Sequence, residues 1–202
     1  MTESTIPNHH SHHGAFSGLT GSLAALSMSV GRDHLFRLAA DAVDVTTGDH
    51  VVDVGCGPGV AAREVHRRGA DFTGVDPSEL MLRWARRIGG RGATWVEGTA
   101  EALPLPDRSA TIVWSLATVH HWLDVGEGLG EVHRVLASGG RLLVAERDVR
   151  SGAKGHASHG WTGAQADAFA TMCRDAGFDH VTAERLPAGR HGTYHVVRAI
   201  RP

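Results

Sequence analysis

An α/β fold built on a doubly wound, mostly parallel seven-stranded sheet is what this sequence predicts. Three observations predict it. Short β-branched runs alternate with helical segments from His50 onward, a glycine turn follows the first run, and the last two runs lie close enough to pair as an antiparallel hairpin edge. Strands alternating with helices are joined by right-handed crossovers, which put helices on both faces of a parallel sheet. A length of 202 residues suits one core, so a single domain is expected over residues 15–202.

Residues 1–14 are polar, His-rich and aperiodic, and read as a flexible tail. His9, His10, His12 and His13 look like a metal trap, but no second ligand cluster closes a tetrahedral site around them. Across residues 15–45 apolar residues recur at helical spacing, as at Leu35, Leu38, Ala39, Ala42 and Val43, so one or two helices precede the first strand. HVVDVG from His50 reads as a buried strand, Val60 to Arg68 as a helix, and DFTGVD from Asp71 as a second strand. Ser78 caps a helix that runs to Ile88. ATWVEG from Ala93 and ATIVWSL from Ala110 supply strands three and four. Val125 to Leu136 is a helix stopped by Gly139-Gly140, and RLLVAER from Arg141 is the fifth strand. Residues 148–161 form a loop, Thr162 to Ala176 a helix, and His180 to Leu186 with Gly192 to Ile200 the closing hairpin.

Composition removes several function classes. The formal net charge is −2, with Lys and Arg mixed among Asp and Glu, so no basic stripe is available for a phosphate backbone and no nucleic-acid partner is expected. Cys56 and Cys173 are too few for a disulfide framework and lack metal-ligand spacing, which fits a reducing cytoplasm. The N-terminus lacks the basic start and apolar core of a signal peptide, and no apolar run approaches membrane-spanning length. A soluble cytoplasmic protein without membrane insertion, monomer or homodimer, is expected.

The sharpest motif is VVDVGCGPG, Val51 to Gly59, where a strand runs into glycines that open a helix. Glycine serves where the backbone turns tightly and a ligand must come close, and Pro58 suits a first helical turn. Gly55, Gly57 and Gly59 fall where open α/β sheets bind ligands. A dinucleotide-binding turn would want a small residue at position 60, which is Val60. Asp76 ends the second strand 21 residues after Gly55, close to the ~20-residue interval at which a carboxylate reaches ribose hydroxyls.

With these residues in place, the chain resembles the class I S-adenosylmethionine-dependent methyltransferases of the ubiquinone/menaquinone-biosynthesis-like type 11 family. VVDVGCGPG, GVDPSELML, EGTAEALPLPDRSATIVWS, LATVHHW and EVHRVLASGGRLLVAE carry the resemblance, in the family's order, over roughly residues 48–147. It implies a Rossmann-like class I methyltransferase fold, S-adenosylmethionine as cofactor and S-adenosylhomocysteine as product. It further implies that Asp53 and the backbone of Gly55, Cys56 and Gly57 hold the methionyl end, Asp76 the ribose, and Pro77 with Met81 the adenine face. Ala100 and Glu101 would lie beside adenine and Ser115 under the sulfonium. Thr99 stands where the family usually has an aspartate for the adenine amino group, and its hydroxyl would replace that contact.

A hydroxyl acceptor needs to lose its proton before it attacks a methyl group, and histidine is the side chain whose ordinary pKa suits that step at neutral pH. His120 and His121 follow strand four on the cofactor edge of the sheet, and the resemblance favours His120 as the one facing the substrate. Glu146, ending strand five, can orient an imidazole or accept a substrate hydroxyl. His156, His159 and Trp161, in the short acceptor-side loop 148–161, suit a small acceptor such as a saccharide, with the indole stacking on its ring. Acidic residues do not cluster after strands four and five, so no metal is expected and activity should survive a chelator. O-methylation of a small hydroxylated molecule is the leading expectation. C- or N-methylation of a metabolite such as a quinone precursor, or cofactor binding without catalysis, are the rivals.

Overall fold

The protein is described here by a computed structural model covering residues 7–8, 31–189 and 192–202. Most of the His-rich tail, residues 15–30 and His191 lie outside the described residues, as does the side chain of His156. The chain runs α1 (Asp33–Ala42), β1 (His50–Val54), α2 (Ala62–Arg67), β2 (Asp71–Asp76), α3 (Glu79–Ile88), β3 (Thr94–Glu97) and β4 (Ala110–Leu116). It continues α4 (Val125–Val135), β5 (Leu136–Arg147), α5 (Gly163–Asp175), β6 (Asp179–Pro187) and β7 (Thr193–Ile200). Short 3-10 turns occupy Val119–His121 and Gly155–Ser158.

Seven strands form one sheet in the order β3-β2-β1-β4-β5-β7-β6. The first five are parallel, and β7 runs antiparallel to both β5 and β6. The expected doubly wound sheet with its antiparallel edge is therefore present. Alternate strand residues feed opposite cores, as side chains on a pleated sheet must. Val52, Val113 and Val144 pack with Leu129 and Val132 of α4 and Phe169 of α5. Val51, Ile112 and Leu143 pack on the other face with Leu35 and Ala39 of α1 and Val65 of α2. Ser78 caps α3 by accepting from the Met81 amide at 3.4 Å, Asp124 caps α4, and Thr162 with Gln165 forms a capping box on α5.

The α4–β5 junction departs from expectation. Helix α4 ends at Val135, Leu136 already pairs with Ala110, and Gly139-Gly140 lie in a bulge before pairing resumes at Ile112 with Arg141. The glycines serve the bulge and not the helix stop. Gly139 takes a φ of +75°, and a Cβ on Gly140 would stand 2.7 Å from the Ala137 carbonyl.

Three glycines make the seat of Trp95. A Cβ added to Gly59, Gly74 or Gly89 would come within 2.3, 2.6 and 2.4 Å of its ring. Gly59 is also left-handed, at φ +75°. Gly59→Ala is therefore expected to lower unfolding free energy by about 2–5 kcal/mol, overpacking and backbone strain together, as read from the denaturant midpoint.

Candidate active site

The sheet order reverses between β1 and β4, and the crevice outside their carboxyl ends is where such sheets take ligands. A cavity of about 430 Å³ opens there. Asp53, Gly55, Cys56, Gly57, Asp76 and Met81 line one side, and Ala117, Thr118, His120, His121, His159 and Arg147 the other, with Arg32 and Tyr194 beside them.

The glycine turn is tied to β2, since the Gly55 and Cys56 amides both donate to the Val75 carbonyl, at 2.8 and 3.0 Å. Asp76 holds the next turn from the other side. Its Oδ2 accepts from the Gly57 amide at 2.8 Å and its Oδ1 from the Ser78 amide at 2.9 Å. Each oxygen keeps a second lone pair, which is what a ribose diol requires. The expected reason for the glycines needs correcting. At Gly55 a Cβ would meet the Thr118 side chain at 2.7 Å, and at Gly59 it would meet Trp95, so these two positions admit protein side chains and not a ligand.

Asp53 is the electrostatic centre of this half. It is buried, and its Oδ1 accepts no hydrogen bond among the described residues. Burial, with the Asp76 carboxylate adding to it, pushes its pKa up to about 7, and the Trp114 indole, poorly placed for a hydrogen bond, offsets only part. Burial raises Asp76 as well, and drives the Cys56 thiol far above its usual range, so Cys56 is not a nucleophile. Two carboxylates held at this cost in a cavity fit a ligand with positive charge. The ammonium and sulfonium of S-adenosylmethionine supply it.

Several expected cofactor residues sit elsewhere. Pro77 is exposed, and Pro77, Thr99, Ala100, Glu101 and Ser115 do not line the cavity. Ala100 is core, and Thr99 forms a bridge with Ala102. Glu101 Oε1 accepts from the Leu123 and Asp124 amides at 2.7 and 3.2 Å, so it fixes the segment after the histidines. Ser115 Oγ donates to Thr118 Oγ1 at 2.5 Å, and Thr118 donates in turn to the Val54 carbonyl at 3.0 Å. Thr118 lines the cavity and Ser115 stands behind it.

The other half of the cavity is built by the 3-10 turn after β4 and by the loop after β5. Ala117, at φ +60°, turns the backbone from β4 into that turn. His120 is 2% exposed and Glu146 fully buried. The His120 Nδ1 lies 2.9 Å from Glu146 Oε2, and the His120 amide donates to Glu146 Oε1 at 3.4 Å. That pairing places the proton on Nδ1 and the lone pair on Nε2, which faces His159 Nδ1 at 3.3 Å. His121 lies beside it, tilted by 44°, with ring centroids 4.2 Å apart.

The loop 148–161 is closed at its base by a bridge between Asp148 and Trp161, with Trp161 N donating to the Arg147 carbonyl at 2.9 Å. Gly160 permits this closure, since a Cβ there would stand 2.2 Å from the Arg147 carbonyl. His159 is thereby hung into the cavity. Trp161 is not. It is fully buried, packs on Phe169 at 4.9 Å, and donates its indole N–H to the Pro7 carbonyl, so it offers no face to a sugar. The saccharide expectation loses its stacking platform. His156 is in the turn Gly155–Ser158, and its side chain lies outside the described residues. Sequence reasoning missed Thr118, Arg32 and Tyr194 as cavity residues. The first could have been found from its position between Ser115 and the histidine pair.

Residues 52–144 match the family described as Methyltransferase domain. An uncharacterized methyltransferase, YdaC of Bacillus subtilis, is 30% identical over 125 residues, 60% of this chain and 69% of the relative. The chain belongs to the class I S-adenosylmethionine-dependent methyltransferases of the type 11 family. The cofactor of this methyltransferase family is S-adenosylmethionine. The demethylmenaquinone methyltransferase of Tropheryma whipplei is 38% identical over 115 residues, 56% of this chain and 48% of that protein. The methyltransferase described here thus spans about half the length of that curated relative. A solved methyltransferase from Aquifex aeolicus shares its fold, with a TM-score of 0.74 at 17% identity over 89% of this chain and 98% of that one. Among the described residues no helix is long and apolar enough to cross a membrane.

Proposed function

We propose that this methyltransferase moves a methyl group from S-adenosylmethionine to a hydroxyl oxygen of a small acceptor, with His120 as general base. The buried Glu146–His120 pair carries the reading. Glu146 holds the Nδ1 proton, so Nε2 is the basic atom and it faces the cavity side. When bound, the cofactor supplies a methyl already activated on a sulfonium. Asp53 and Asp76 bind its cationic and ribose ends, Thr118 and Ala117 wall the cavity between the two halves, and His120 takes the hydroxyl proton. Alignment in such a site contributes on the order of 7–11 kcal/mol, and a positioned base about 10²–10⁴ in rate.

Arg32, Arg147 and Tyr194 line the same cavity, a donor set suited to an acceptor that also carries an acidic group. The test is transfer from methyl-labelled cofactor into fractionated cell extract, with the product's methyl carbon assigned by NMR. A methyl ether on an acidic small molecule is expected. A methyl on carbon or nitrogen would reject the oxygen reading. Carbon is the outcome that the demethylmenaquinone methyltransferase among its relatives favours. Cofactor binding with no labelled product would favour a non-catalytic module.

A further inference from the structure

We infer that His120, His121 and His159 form a binding site for a divalent ion of the Zn²⁺ class. Each of the three imidazoles offers one ring nitrogen, and these nitrogens lie within 4.8 Å of one another. Zn–N bonds of about 2.0–2.1 Å at a tetrahedral angle place ligand nitrogens about 3.3 Å apart. The His120 Nε2 and His159 Nδ1 are 3.3 Å apart. His121 brings a third imidazole to that pair, 5.4 Å from His159 between centroids.

Glu146 supplies the second observation. A metal-bound histidine characteristically gives its other ring N–H to a carboxylate, which fixes the tautomer and strengthens the ligand. His120 does so here, to a carboxylate with no solvent exposure. All three rings also line the cavity, so three ligands from the protein leave a fourth position open toward it. That is the arrangement of a metal site that takes an exogenous oxygen or nitrogen donor. Imidazole ligands suit zinc, copper, nickel and iron over calcium or magnesium.

The site lies within the proposed active site but does not depend on which acceptor atom is methylated. Both uses draw on the same Nε2 lone pair, so occupancy by metal and proton transfer at His120 exclude each other. Loading is expected to suppress base-driven transfer.

The test is titration of the chelator-treated, full-length protein with Co²⁺, followed through its visible ligand-field bands and then by displacement with Zn²⁺. The tail histidines are controlled for by a full-length variant carrying His9→Ala, His10→Ala, His12→Ala and His13→Ala. One tetrahedral-type Co²⁺ per chain that persists in this tail variant is expected. His159→Ala should weaken it by more than the roughly 10–100-fold that loss of an outer-shell carboxylate costs, and Glu146→Gln by about that 10–100-fold. Binding that vanishes with the tail substitutions, or survives His159→Ala unchanged in a folded protein, overturns the site. Metal binding without loss of methyl transfer supports the site and rejects the base reading instead. Absent metal binding overturns the site and leaves the base reading to the His120 variant.

Discussion

With His120 replaced by alanine, kcat for methyl transfer is expected to fall by about 10²–10⁴ while Kd for S-adenosylmethionine stays within a few-fold. The split follows from position. His120 is on the acceptor side of the cavity, across from Asp53 and Asp76, so its loss touches proton removal and not cofactor capture. Glu146→Gln should reproduce much of the loss with the imidazole still present. An amide NH₂ turned toward Nδ1 favours the tautomer that puts the proton on Nε2, where the base must be free of it. The measurements are turnover on the acceptor identified by labelling, and cofactor binding by calorimetry. If both variants bind cofactor and turn over within a few-fold of the parent, the imidazole is not the base.

Asp53→Asn is expected to do two opposite things. It should stabilise the cofactor-free protein at pH 8 and weaken cofactor binding by roughly 10–100-fold, the range for losing one hydrogen bond to a charged group. The Asp53 carboxyl has its pKa raised to about 7 in the folded protein, against an ordinary value of 3.8. Below about pH 4 both folded and unfolded chains hold the proton, and the difference vanishes. As pH rises from there to 7 the unfolded chain releases it and the folded one does not, so stability declines across that window. Above pH 7 the whole penalty is present, on the order of 4 kcal/mol as an upper limit. A cationic ligand favours the ionised form, so parental cofactor affinity should climb up to about tenfold per pH unit between pH 5.5 and 7. In the asparagine variant that dependence should flatten. Chemical denaturation at pH 5 and pH 8 and cofactor titration across the range check both halves. A variant less stable than its parent at pH 8 would contradict the burial cost.

What could be read in the sequence was local. The 2-residue and 3.6-residue periods placed the strands and most helices, and the glycine turn with Asp76 marked one wall of the cavity, because each signal lies within a single strand-turn-helix unit. The wall that carries the histidines was less legible because its contacts join distant segments. The pairing of His120 with the buried Glu146 joins residues 26 positions apart, and the third imidazole comes from a loop whose closure rests on Gly160. Trp161 has the same composition signature at a rim as in a core, and only its indole bond to Pro7 and its packing on Phe169 distinguish them. Glu101 had the right order along the chain for adenine, yet Leu123 and Asp124 present backbone amides to it.

The seat of Trp95 bears on how this chain can vary. Gly59, Gly74 and Gly89 belong to three separate segments, and each would look immutable in a library of single replacements, since any side chain there strikes the same indole. Shrinking the indole removes only the first obstacle, because at Gly74 the Cys56 Sγ and at Gly89 the Ala85 carbonyl would each still stand 2.8 Å from the new Cβ. A smaller residue at 95 therefore frees none of the three by itself, and change at this seat needs Cys56 or the end of the helix before Gly89 to move as well, while Gly59 is held further by its left-handed backbone.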